Sequence, residues 1–302
     1  MIYNKFNYTN IKALLPFTFW SMFIYLGAFI SVIFLNLGWK TTFLLASGII
    51  VVSVLLMFIF SKDNSLKLNI FKPKKELIIA LLWYILYFLF DFFTTKNGIK
   101  ILGDFQVLMA LFIAPLLILM VTKDKISRVK DILNSVGITI KESKYAIKIG
   151  GVASVVMIPF IIFSSNYNQR VIIFNIFKNP FSGFIYFMIS FVFAFLIMGL
   201  PEEFFFRGFL QSRFSKVIKS EWKSILITSF LFGLYHLPNL FLNNSSLTHG
   251  HIIMSIIIAL TEQGFVGILF GIIWAKTHNL SACIFVHSFI DAFYILSVLK
   301  VG

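Results

Sequence analysis

Long uninterrupted runs of apolar residues alternate with short polar segments along most of this chain. A hydrocarbon core about 30 Å thick is crossed by about 20 helical residues, so runs of this length predict membrane-spanning helices. Their continuous apolarity differs from the strands of a membrane β-barrel, where apolar and polar residues alternate. We therefore expect an all-α, polytopic membrane helix bundle of eight or nine transmembrane helices. The predicted spans cover residues 13–39, 41–61, 77–93, 105–122, 149–169, 179–201 and 280–299, with two more inside 224–261.

The longest uncharged stretch, residues 224–261, is too long for a single helix. Pro238 and the turn-forming sequence at 243–246 interrupt it, so we expect one helix before this break and one after it. The longest polar segment, 122–148, separates four predicted helices from five. We therefore divide the chain into a front region (1–122), a basic linker (123–144) and a back region (145–302).

The basic residues lie mainly on one side of the predicted bundle. With the N-terminus inside, the cytoplasmic segments hold 20 of the 26 Lys and Arg residues, and the outer segments hold six. Cytoplasmic loops are rich in Lys and Arg, so we expect a multi-pass cell-membrane protein with a cytoplasmic N-terminus. The net charge of +14 then indicates contact with anionic membrane lipids rather than with nucleic acid.

The composition agrees with a membrane protein. Hydrophobic residues make up 59% of the chain and charged residues 13%, whereas charged residues are about 25% of soluble domains. A cytosolic enzyme, a secreted module and a disordered chain are therefore poor interpretations. The single cysteine, Cys283, excludes an internal disulfide and a multi-cysteine metal site. The N-terminal residues lack the features of a signal peptide, so we treat the chain as mature from Met1.

Ionisable residues within the predicted spans or at their ends are few, and most belong to the back region. A charge inside the bilayer is costly, which makes such residues functional candidates. They fall in the sequence PEEFFFR at 201–207, in FGLYH, which ends at His236, and in HSFID, which begins at His287. Glu262 is interpreted as a cavity-lining or structural residue. Asp91 in the front region lies near the end of its helix, and we expect its carboxylate to reach the interface.

The spacing of these residues indicates which side chains share a helix face. Glu203 precedes Arg207 by four residues, which is the favourable order for an ion pair along a helix. We interpret that pair as structural. His287 and Asp291 are also four residues apart. Glu202 is one residue before Glu203 and therefore points about 100° away from it.

Glu202 and His236 lie at similar distances from the polar turn at about 214–222. If the two helices that flank this turn pack antiparallel, the carboxylate and the imidazole meet inside the bilayer. A carboxylate in a low-dielectric site suits general-base catalysis.

In this order, the three motifs resemble those of the CAAX protease and bacteriocin-processing (CPBP) family. This family of intramembrane glutamate proteases includes type II CAAX prenyl endopeptidases and bacterial abortive-infection or bacteriocin-immunity members. The stretch from Gly264 to Asp291 also resembles the last conserved block of the family. The resemblance covers roughly 140–300. It implies a helix bundle with an intramembrane cavity that cleaves a peptide or a membrane-anchored protein near its cytoplasmic side, without a metal or other cofactor.

The resemblance also implies roles for individual residues. Prenyl endopeptidases typically carry Asn where this chain has Asp291, and an ionised carboxylate cannot donate a hydrogen bond. Asp291 therefore either stays protonated or orients His287, and the difference favours a bacterial-type member over a prenyl-protein protease. Catalysis is assigned to Glu202 as base, His236 as its helper, and His287 and Asp291 at the oxyanion, with Glu203 and Arg207 as supporting residues.

Two other functions remain open on sequence grounds. Glu202, His236 and His287 suit a Zn²⁺ site with an open water position, although the His-Glu-x-x-His signature is absent. Buried acids and histidines also suit a proton-coupled carrier or an immunity protein that sequesters a toxic peptide. The sequence leaves the substrate and the oligomeric state undetermined.

Overall fold

In the described part of the computed structural model, all regular secondary structure is helical, and turns and short loops connect the helices. The first helix, α1, covers residues 22–30. The described residues are 20, 22–30, 33, 39–59, 67–99, 105–122, 129–140, 143–165, 167–244, 246 and 248–298. The other helices are α2 (Trp39–Ile59), α3 (Pro73–Lys96), α4 (Phe105–Thr122), α5 (Val129–Ser135), α6 (Ser143–Ser164), α7 (Tyr167–Phe177), α8 (Pro180–Ile218), α9 (Glu221–Tyr235), α10 (Leu237–Leu242), α11 (Ile252–Thr277) and α12 (Leu280–Val298).

The predicted polytopic helical membrane bundle is confirmed. By length and apolarity, six described segments are able to cross a membrane, namely α3, α4, α6, α8, α9 with α10, and α11. Shorter apolar stretches lie in α2 and α12. Most of the predicted span at 13–39 lies outside the described residues. The number of eight or nine spans and the cytoplasmic N-terminus stay predictions.

Helix α8 extends further than the span predicted at 179–201. It continues to Ile218, and it contains two π-helical segments, Phe195–Gly199 and Phe204–Gln211. Arg207 and Arg213, which the sequence pattern assigned to a cytoplasmic segment, therefore lie within this helix and are fully buried. The span predicted from the sequence ended too early, because charged residues that are buried on one helix face look, in the sequence, like the charged residues of a polar loop.

Part of the predicted linker packs against the back region. Helix α5 is followed by Gly137, whose positive φ of 78° favours glycine. A Cβ atom at Gly137 would lie 2.5 Å from the carbonyl oxygen of His278. The Gly137 carbonyl accepts a hydrogen bond from the backbone N–H of Leu280 at 2.9 Å. The segment after α5 is thus fixed at the turn between α11 and α12, and the domain boundaries stay a prediction.

A buried ion pair joins the front and back regions. Nε of Arg213 in α8 donates to Glu76 in α3 at 2.8 Å, and the two side chains are 0% and 2% exposed. The same guanidinium donates to the Ser135 carbonyl at 3.0 Å and to the Gly208 carbonyl at 2.9 Å. Arg213 therefore holds together α3, α5 and its own helix. Sequence reasoning missed this pair because Glu76 stands in a lysine-rich segment that predicts a solvated loop.

Candidate intramembrane active site

Two adjacent glutamates occupy the turn of α8 between its π-helical segments. Pro201 has no backbone N–H to donate within the helix, and π-helical turns often occur where the regular hydrogen-bond pattern is interrupted. Glu202 and Glu203 follow this proline and are 5% and 0% exposed. Their carboxylates therefore lie in the interior of the bundle, where they need polar partners.

Arg207 is held by one acid, one carbonyl group and two aromatic rings. Its Nη1 donates to Glu203 Oε1 at 2.9 Å, and its Nη2 donates to the Gly267 carbonyl at 3.0 Å. The guanidinium carbon lies 4.4 Å from the ring centroid of Phe232 and 5.1 Å from that of Phe270. Cation–π contacts of this kind are strongest when the cation is desolvated. The ion pair predicted from the four-residue spacing is present.

His287 in α12 contacts three carboxylates. Its Nδ1 lies 2.7 Å from Glu203 Oε1, and its Nε2 lies 3.2 Å from Asp291 Oδ2 and 3.7 Å from Glu202 Oε2. An ionised carboxylate only accepts hydrogen bonds, so an imidazolium that donates from both nitrogens satisfies Glu203 and Asp291 together. The imidazole also stacks on Phe270, with ring centroids 4.7 Å apart and planes inclined by 19°.

The charges of this cluster leave one carboxylate without a counter-charge. Arg207 balances Glu203, and a protonated His287 balances Asp291, so Glu202 is the surplus acid. Glu202 Oε2 is buried and has no hydrogen-bond partner among the described residues. A buried carboxylate oxygen without a partner is available to bind and deprotonate a water molecule.

His236 lies at the junction of α9 and α10, where its backbone N–H donates to the Gly233 carbonyl at 3.1 Å. Its ring meets Phe232 edge-on at 5.1 Å and Tyr235 at 4.8 Å. Its Nε2 is buried and has no hydrogen-bond partner in the described part of the chain. Among the described residues, Glu203 Oε2 and Arg207 Nε are likewise buried without a hydrogen-bond partner.

The structure brings five of the six predicted residues into one contact network and places His236 beside it. Phe232 lies edge-on to both imidazoles, 5.1 Å from His236 and 6.0 Å from His287 between ring centroids. The polar partner nearest to Glu202 in this network is His287 rather than His236. The predicted cooperation of Glu202 with His236 stays a prediction, and so does the predicted intramembrane cavity.

Two glycines four residues apart, Gly267 and Gly271, allow α11 to approach α8 and α9 closely. A Cβ atom at Gly267 would lie 3.2 Å from Phe232 and 3.3 Å from Arg207 Nη2. At Gly271 it would lie 2.9 Å from a side-chain carbon of Ile225. The close approach allows the carbonyl of Gly267 to accept from Arg207.

No group of three or more His, Cys, Asp or Glu side chains is placed to hold a metal ion within the described residues. The alternative zinc site would use His287 as a ligand. In this conformation, each of its ring nitrogens faces a carboxylate.

The contact between Glu203 and His287 was not foreseen from the sequence, which assigned Glu203 to Arg207 alone. These residues are 84 positions apart, and their proximity depends on how α8 and α12 pack. Phe232 was included in the second motif only as a spacing marker. Its position between the two imidazoles and under the guanidinium becomes visible only in three dimensions.

Comparison with known families gives one match. Residues 184–293 match the family described as "Type II CAAX prenyl endopeptidase Rce1-like". This stretch contains all three motifs and supports the assignment to the CPBP family made from them. No curated protein and no solved structure matches the chain.

Proposed function

We propose that this chain is an intramembrane glutamic endopeptidase, and the match of residues 184–293 to the family of type II CAAX prenyl endopeptidases supports this proposal. Glu202 is the general base that activates water for attack on a peptide carbonyl. The observation that carries this proposal is the buried, unpartnered Oε2 of Glu202, which belongs to the surplus carboxylate of the cluster.

In the first step, Glu202 accepts a proton from water while the water oxygen bonds to the carbonyl carbon. The electron pair of the carbonyl moves to its oxygen, so a negative charge develops there. A preorganised donor near this oxygen stabilises the tetrahedral intermediate. His287 is suited to this role because Glu203 holds its Nδ1 and leaves Nε2 directed toward Glu202 and Asp291.

In the second step, the intermediate collapses and the carbon–nitrogen bond breaks. The leaving amine needs a proton, which Glu202 now carries. His236 assists Glu202 in this proton transfer through its unpartnered Nε2.

The 3.2 Å contact between Asp291 and His287 supports the interpretation that Asp291 orients the imidazole. Asp291 is also the most accessible acid of the cluster, with 25% of its side chain exposed against 7% for Glu202. We infer that the substrate reaches the water from the Asp291 side. Cleavage near the cytoplasmic face, which the family resemblance implies, is part of this proposal.

The test uses purified protein in liposomes with membrane-anchored reporter peptides, made with and without a prenylated cysteine. Glu202→Gln and His236→Ala should each lower the cleavage rate by about 10² to 10⁴-fold, the contribution typical of general acid–base catalysis. Glu221→Gln is the control, because Glu221 contacts Ser215 and His278 instead of the cluster. Cleavage at the normal rate by both site variants would contradict the proposal.

A further inference from the structure

The front region, which lies outside the family match, contributes side chains that pack beside His236. Helix α3 presents Tyr84, Tyr87 and Asp91 on one face, at spacings of three and four residues. The Tyr84 hydroxyl donates to the Leu231 carbonyl in α9 at 2.8 Å. This bond fixes α3 against α9 one turn before Tyr235.

Tyr87 reaches His236 through one intervening ring. Its ring stacks on Tyr235 with centroids 6.1 Å apart and planes inclined by 27°. Tyr235 in turn meets the imidazole of His236 at 4.8 Å. On its other side, Tyr235 packs against Phe206 at 5.6 Å. The ring next to His236 is therefore held from the front region by Tyr87 and from α8 by Phe206.

Tyr87 is buried in the front region, beside a link between α3 and α4. The residue is 5% exposed, and Asp91 follows it by one turn of α3. Gln106 Nε2 in α4 donates to Asp91 Oδ1 at 3.4 Å. Asp91, which the sequence assigned to the membrane interface, thus has a partner inside the bundle.

His236 depends on such packing because its Nε2 has no hydrogen-bond partner that would set the direction of the ring. The described ring contacts of His236 are those with Phe232 and Tyr235. A proton-transfer group that is displaced by about 1 Å loses up to about 10² in rate. Whatever holds Tyr235 therefore influences the geometry of the proposed reaction.

We propose that Tyr87 is a positioning residue for this reaction and that it acts on His236 through Tyr235. The inference rests on the proposed function, since it gives His236 a role in proton transfer. It assigns the front region a part in the chemistry: helices α3 and α4 complete the surroundings of a site whose motifs lie entirely in the back region.

The test compares two variants that each remove one aromatic ring from α3. Tyr87→Leu removes the ring that stacks on Tyr235 and should lower kcat by about tenfold with little change in KM, because a displaced His236 slows proton transfer. Phe92→Leu is the matched control: it removes a ring that stacks on Phe241 in α10, with centroids 6.4 Å apart, and should keep kcat and lower only the thermal stability. The double variant of Tyr87→Leu with Tyr235→Leu should lose no more than the worse single variant, because both remove the same contact.

A second measurement does not require activity. Diethyl pyrocarbonate acylates accessible imidazoles, and peptide mass spectrometry reports its rate of reaction at His236. The rate should rise in Tyr87→Leu and stay at the wild-type value in Phe92→Leu. Equal labelling rates and equal kcat in wild-type protein and Tyr87→Leu would overturn the inference, and so would equal loss of kcat in both variants.

The two proposals fail in different ways. If His236→Ala is inactive while Tyr87→Leu is normal in both measurements, only the positioning role is wrong. If His236→Ala cleaves at the normal rate, the proposed role of His236 is wrong, and so is any effect of Tyr87 on catalysis through it.

Discussion

Glu203 Oε1 lies 2.7 Å from Nδ1 of His287, and the same oxygen accepts from Arg207 at 2.9 Å. One buried oxygen atom therefore serves two donors on different helices. The contact fixes the His287 side chain of α12 relative to α8. It directs Nε2 of this imidazole toward Glu202 and Asp291, the other two acids of the cluster.

Glu203→Gln should reduce both stability and activity. The amide retains an acceptor but lacks the charge that Arg207 and His287 require in the buried cluster. Loss of one partner of a buried ion pair costs about 3–5 kcal/mol, so we expect a lower melting temperature together with loss of cleavage. Thermal unfolding in detergent and reporter cleavage measure the two effects. Unchanged melting would show that the charge of Glu203 is not needed for the fold.

Asp291→Asn should be tolerated better than Asp291→Ala. The asparagine side chain accepts from His287 through its oxygen and donates through its nitrogen, whereas alanine leaves Nε2 of the imidazole without that partner. We expect Asp291→Asn to keep cleavage within about tenfold of wild type and Asp291→Ala to lose about 10²-fold. Equal loss in the two variants would mean that the carboxylate charge, rather than its hydrogen bond, is required.

Glu76→Ala should destabilise the protein without changing the chemistry of the site. It leaves Arg213 buried and charged without its acid, which costs about 3–5 kcal/mol. Adding Arg213→Met should recover much of this loss, because replacing a whole buried ion pair by apolar groups is often neutral. Melting temperatures of the wild type, both single variants and the double variant test this. A double variant less stable than Glu76→Ala would contradict it.

Gly267→Ala should disturb the packing around Arg207 by adding a methyl group to a filled space. The added methyl would lie 3.2 Å from Phe232 and 3.3 Å from Nη2 of Arg207, so one of them must move. Overpacking of this kind typically costs about 1–3 kcal/mol. Gly151→Ala in α6 is the control, since a Cβ atom there meets no atom within 4 Å. Melting temperature and cleavage rate should fall in the first variant and stay the same or rise slightly in the control.

Chelation separates the glutamate mechanism from the zinc alternative. Cleavage by protein treated with a strong chelator should continue at the untreated rate, because the proposed reaction uses Glu202 and its histidines without a metal. A loss of cleavage that added Zn²⁺ restores would favour the metalloprotease.

The sequence predicts contacts that depend on helix periodicity better than those that depend on packing. Glu203 with Arg207 and His287 with Asp291 follow from a spacing of four residues on one helix. The contact of Glu203 with His287 spans two helices, and its geometry depends on the crossing of α8 and α12. No local pattern encodes that crossing.

Burial of charge was equally difficult to read from the sequence. Glu76 and Arg213 lie in segments whose charge predicts solvated loops, yet each offsets the charge of the other and both are buried. The continuous helical path of α8 was missed for the same reason. A hydropathy value averaged over a whole membrane helix does not distinguish the one face on which paired charges point inward.

The position of Arg213 bears on whether the protease-like part is an autonomous unit. Its guanidinium donates hydrogen bonds to Glu76 in the front region and to the Ser135 carbonyl in the segment between the two regions. A fragment that started after that segment would retain every motif residue but would keep an uncompensated cation in its interior. The proposed catalytic motifs and the unit that folds stably around them therefore have different boundaries, and a fragment that begins after Ser135 should melt at a lower temperature than one that begins before Glu76.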